Sequence, residues 1–131
     1  EAIAEAEAMI EQTLAATRRL GDPTLAERVR ALCASARPVL VQIEQDPRDL
    51  HRARRFLSIT LTGARDATVK YARLGVEDPE LRTAFVSLLT QLETSFAKQR
   101  ARLTADDRAE LEIEIEVLSD RLRQDGAGDA R

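Results

Sequence analysis

Apolar positions recur every three or four residues along most of the chain, the spacing of helices with one dry face. Between Glu1 and Leu20, the residues Ile3, Ala6, Ile10, Leu14 and Thr17 fall on one stripe. Glutamates come early in that segment and Arg18 and Arg19 late, which suits a helix dipole, and Gly21 is a fitting stop. A second helix is expected from Pro23 to about Ile43, with Leu25, Val29, Leu32, Ala36, Val39, Leu40 and Ile43 as its stripe. Pro38 lies inside it and predicts a kink or short break near Ala36. The third helix is the long central one, opening at Asp46-Pro47 and stopping at Gly75. Leu50, Ala53, Leu57, Leu61, Ala64, Thr68 and Tyr71 share its apolar face, widened by Phe56, Ala67 and Leu74, while Gly63 with Thr60 and Thr62 softens its middle.

A fourth helix is expected from Pro79 to about Leu103, built on Leu81, Phe85, Leu88, Leu89, Leu92, Phe96 and Leu103. Thr104 and Asp107 then resemble a capping box and predict a fifth helix from about Ala105 to Gln124. From Leu111 to Val117 apolar and acidic residues alternate, which is a strand signal. The helical stripe Leu111, Ile115, Leu118 and Leu122 and the absence of a partner strand decide for helix. Asp22-Pro23, Asp46-Pro47 and Asp78-Pro79 repeat one device: an aspartate caps the orphan N–H groups and a proline presets the first turn. Short links between amphipathic helices make sequence neighbours adjacent and antiparallel. The expected fold is all-α, an up-and-down bundle of about five helices over residues 1–124, with a polar tail at 125–131.

Composition narrows the function classes. Aromatics make up only 3% of the 131 residues, so the core must be aliphatic. The net charge of −3 gives no general affinity for nucleic acid or anionic membrane. The single cysteine, Cys33, cannot form an internal disulfide, which fits a reducing compartment, and cytoplasm is the expected location. No apolar run spans a bilayer, so membrane contact is expected only through a segment upstream of Glu1.

The central helix also carries a resemblance. Arg55-Phe56-Leu57, then Leu61, Lys70-Tyr71 and Leu74, resemble a bacterial pattern of the XpaC family, named for hydrolysis of 5-bromo-4-chloroindolyl phosphate. The run Glu112–Gly126, with Ile115, Leu118 and Leu122, is similar to that family's closing segment. The family's tyrosine pair is here Ile59 and Thr60, and its proline is Thr62. The resemblance implies an α-helical bacterial domain, a setting beside toxic-anion resistance proteins as partners or envelope-stress proteins, and phosphate-ester hydrolysis by name.

Residue chemistry offers little for catalysis, and no catalytic residue is assigned. His51, the only histidine, lies beside Arg52, Arg54 and Arg55 without a triad partner at recognisable spacing, and reads as a surface residue. Glu112 and Glu116 share a face and could bind Mg²⁺, but without histidine or cysteine nearby they read as a solvated run; no metal or cofactor is expected. Cys33 reads as a buried, inert thiol and Tyr71 as a core residue whose hydroxyl reaches the rim. The candidate surface is the basic face of the central helix: Arg48, Arg52, Arg55, Lys70 and Arg73, with Ile59 in its middle. Arginine clusters bind anions through forked donors, and an apolar residue among them points to a covering helix or a protein partner. Two functions follow as expectations, a non-catalytic helical interaction module and a phosphate-ester hydrolase.

Overall fold

Two of the three Asp-Pro pairs can be followed to the helix starts they predict. Asp22 accepts hydrogen bonds from the N–H groups of Thr24 (3.0 Å) and Leu25 (3.2 Å), and Asp78 does the same for Glu80 (3.0 Å) and Leu81 (3.2 Å). The computed structural model describes residues 2–45, 50–74 and 77–129, so Asp46-Pro47 and Gly75 lie outside it. The described helices are α1 (Ala2–Thr17), α2 (Pro23–Gln45), α3 (Leu50–Leu74) and α4 (Pro79–Asp129), and no strand occurs among the described residues. The fold is all-α. The chain divides into two compact units, Glu1–Lys98 and Gln99–Arg131.

Side-chain pairings fix the directions of the helices in the first unit. Thr62 meets Met9 and Arg65 meets Gln12, so α1 and α3 run the same way. Arg82 meets Asp22, and Glu93 accepts from Arg28, so α2 and the first half of α4 run together. Arg37 pairs with Glu11, so α1 and α2, joined by a short turn, run antiparallel, while Phe56–Phe96 and Tyr71–Phe85 make α3 and α4 antiparallel. The arrangement is up, down, up, down.

α1 packs most closely against α3. Small buried residues permit the approach: Ala6, Thr13, Ala16 and Thr17 on α1, with Ala53, Ala64 and Thr68 on α3. Burying a hydroxyl costs free energy unless it is bonded. Thr13, Thr17, Thr60 and Thr68 solve this by donating to the carbonyls of Met9, Leu14, Phe56 and Ala64, about one turn back on their own helices. All seven stripe residues expected on α2 are buried, and so are Phe85, Leu89, Leu92 and Phe96 of α4. Phe56 and Phe96 meet edge to face with ring centroids 5.6 Å apart, a favoured aromatic geometry.

Three expectations need correction. First, no break occurs at Thr104, and α4 runs without interruption from Pro79 to Asp129, giving four helices among the described residues where about five were expected. A capping side chain starts a helix only where the preceding backbone has left helical geometry. Here Ala101, Arg102, Leu103 and Ala105 are strong helix formers, with neither glycine nor proline among them. Second, of the kink or short break expected near Ala36, the break is absent: α2 continues through Pro38 as one element, as expected. Fully buried Ala36 and Val39 flank the proline and hold both sides of it in the core. Third, the stripe Leu111, Ile115, Leu118 and Leu122 does not build core: these residues are 55%, 54%, 58% and 62% exposed.

Candidate functional site

The topology gathers four helix ends at one end of the first unit: the last turns of α1 and α3 and the first turns of α2 and α4. Three 3₁₀-type bonds, Arg18 to Ala15, Arg19 to Ala16 and Leu20 to Thr17, wind up the end of α1 before the chain turns into Asp22. A cleft of about 540 Å³ opens there, lined among others by Arg19, Asp22, Tyr71, Glu77, Asp78 and Arg82. Tyr71 forms one wall and stacks on Phe85 with centroids 4.6 Å apart.

Asp22, Asp78 and Arg82 in this cleft already hold partners. Asp22 uses one carboxylate oxygen to cap α2 and the other to accept from Arg82 Nε at 2.8 Å. The Arg82 hydrogen bond, with help from the Leu25 N–H, holds the Asp22 carboxyl below its ordinary pKa, and Asp22 in turn raises that of the guanidinium. Three carboxylates against two guanidiniums leave no positive excess for a phosphate dianion. The arrangement therefore locks the start of α2 to the start of α4. Sequence reasoning named Asp22 and Asp78 as punctuation but did not bring them together; the up-and-down order places both starts at one end, and that was the available signal.

The candidate basic residues of α3 can be placed one by one. Arg52, Arg55, Lys70 and Arg73 are exposed, while Arg48 lies outside the described residues. The two pairs are not one cluster, because Arg55 and Lys70 are separated by about 22 Å along the helix axis. Ile59, between them, is 64% exposed, so no helix of the described chain covers it. Of the two readings of Ile59, a covering helix or a partner surface, the first is not met among the described residues. Arg73 also lines a smaller groove of about 280 Å³ with Gln12, Arg19 and Val69, between α1 and α3.

His51 is exposed. Cys33 is buried, and desolvation pushes its thiol up to about 11 despite the nearby Arg37 charge. Such a thiol holds its proton at neutral pH and is a poor nucleophile. Glu112 accepts from Arg108 Nε at 3.1 Å on its own helix. Among the described residues no three His, Cys, Asp or Glu side chains gather as metal ligands, and no helix is long and apolar enough to cross a membrane.

An all-α domain with a capped helix junction, a split basic face and an exposed apolar stripe is the class these features define. The chain belongs to the 5-bromo-4-chloroindolyl phosphate hydrolysis protein family, whose model matches residues 1–118. No curated protein and no solved structure matches it.

Proposed function

We propose that this chain is a helical interaction module that works by docking to protein and carries out no chemistry itself. The observation that carries this reading is the row Leu111, Ile115, Leu118 and Leu122, four large apolar side chains more than half exposed on one stripe of α4. Monomeric soluble proteins rarely leave such rows in water, and contiguous exposed apolar surface marks interaction sites. Ile59, with Arg52 and Arg55 within two turns on the same face, is a second surface of the same kind, apolar with basic residues beside it. A toxic-anion resistance protein, the partner the family resemblance implies, is the proposed occupant of that second surface.

The family description favours a second reading, hydrolysis of a phosphate ester. One experiment separates the two. The purified protein is assayed on 5-bromo-4-chloroindolyl phosphate with and without Mg²⁺, beside an Arg52→Ala/Arg55→Ala variant. The module reading expects no turnover above the buffer blank. Turnover that follows the protein through purification and falls in the variant would establish the hydrolase.

A further inference from the structure

We propose that the C-terminal segment of α4 pairs with the same segment of a second copy of this chain, as a short antiparallel two-helix coiled coil. The inference rests on the interaction-module reading and names the occupant of the exposed row. Leu111, Ile115, Leu118 and Leu122 are spaced four, three and four residues apart, which is a heptad seam with Leu111 and Leu118 at d and Ile115 and Leu122 at a. The helix is continuous through this stretch, so the seam is one unbroken row.

A two-fold interface must be complementary to itself: if one residue meets another, the second meets the first. This seam passes that test when it is reversed on itself about a point between residues 116 and 117. Leu111 then faces Leu122 of the second copy, and Ile115 faces Leu118, giving four apolar layers. The next layer at each end sets Arg108, at a, against Asp125, at d. On the flanks, the g positions bring Glu114 beside Arg121 of the second copy. Each of these opposite-charge pairs occurs twice.

Parallel pairing in the same register is disfavoured by the same residues. It would set Arg108 against Arg108, Asp125 against Asp125, and Asp107 at g against Glu112 at e. Like charges at these positions select against an orientation. The charge pattern therefore chooses both the partner and its direction. The pairing frees Arg108 from dependence on its present partner Glu112 on the same helix, since Asp125 of the other copy lies at the same layer. Ile113 and Val117 lie on the opposite face of the helix and take no part.

The seam holds fewer than two heptads, so the dimer is weak, with a dissociation constant of about 100 µM. Sedimentation velocity from about 1 µM to about 1 mM is expected to show a monomer passing to a dimer. Glu114→Arg and Arg121→Glu are each expected to weaken the dimer about three- to tenfold, and the double variant to restore it. In the parallel arrangement those two positions never face each other, so no rescue would occur. Orientation is read a second way, in a Cys33→Ala background, by mixing Ile115→Cys with Leu118→Cys. The antiparallel pair gives the mixed 115–118 disulfide; disulfides joining 115 to 115 would overturn it. A monomer at every concentration, or a dimer that Leu118→Asp leaves intact, would overturn self-pairing while leaving the module reading to the turnover assay. Hydrolysis by the purified protein would sink the module reading but not the measured dimer.

Discussion

Leu89 and Leu118 are the same side chain on the same helix, yet one is 1% exposed and the other 58%. Truncating Leu89 to alanine removes buried methyl groups from a core whose largest members are Phe96, Ile10, Leu25 and Leu32, and leaves a cavity behind. The expected loss is about 2–5 kcal/mol, a large share of the stability of a domain this size. Leu118→Ala gives up contacts already lost to water, and alanine is the better helix former, so a change within about 0.5 kcal/mol is expected. The two variants should differ by about 2 kcal/mol or more. At a denaturant dependence of about 1–3 kcal/mol per molar urea, that gap displaces the unfolding midpoint by about 1 M. Tyr71, the sole tyrosine in a chain without tryptophan, stacks on Phe85 and reports the core by its emission. The measurement is made at low micromolar protein, where pairing is absent. Equal losses, or a loss above about 2 kcal/mol for Leu118→Ala, would refute the assignment of Leu118 to solvent.

Gly63→Ala should stabilise by about 0.5–1 kcal/mol in the same urea assay, because a methyl group there meets nothing within 4 Å and the glycine lies inside a helix. The folded-state pKa of Asp22 is depressed, so its contribution is present above the unfolded carboxylate value of about 3.9 and is lost as pH falls through the lower folded value. The urea midpoint of Asp22→Asn should accordingly fall less than that of the parent over this acid range. Cys33 should react with a thiol reagent at neutral pH only as fast as the protein opens, and urea should accelerate the reaction.

Where the sequence was legible, one physical rule dominated. On α2 the apolar stripe and the buried set coincide because a helix enclosed by neighbours has only one way to hide Leu25, Val29, Leu32 and Ile43. The acidic alternation after Leu111 belongs to a helix, as the continuing stripe required. The same stripe misled about packing. Periodicity shows that a face is apolar but not what covers it, and a stripe meant for the outside has the same spacing as one meant for the core. Thr104 misled for a related reason: its side chain can cap, but nothing before it breaks the helix. The cleft at Asp22, Tyr71 and Arg82 joins residues as many as 60 positions apart and becomes visible only when the helix order is laid out.

Amide hydrogen exchange, followed by mass spectrometry at low micromolar concentration, tests most directly whether the core ends within α4 and leaves the apolar row outside. Peptides covering Phe85–Phe96 should exchange slowly, near the rate set by global unfolding, and peptides covering Leu111–Leu122 should exchange orders of magnitude faster. Protection of Leu111–Leu122 equal to that of Phe85–Phe96 under those dilute conditions would contradict the account.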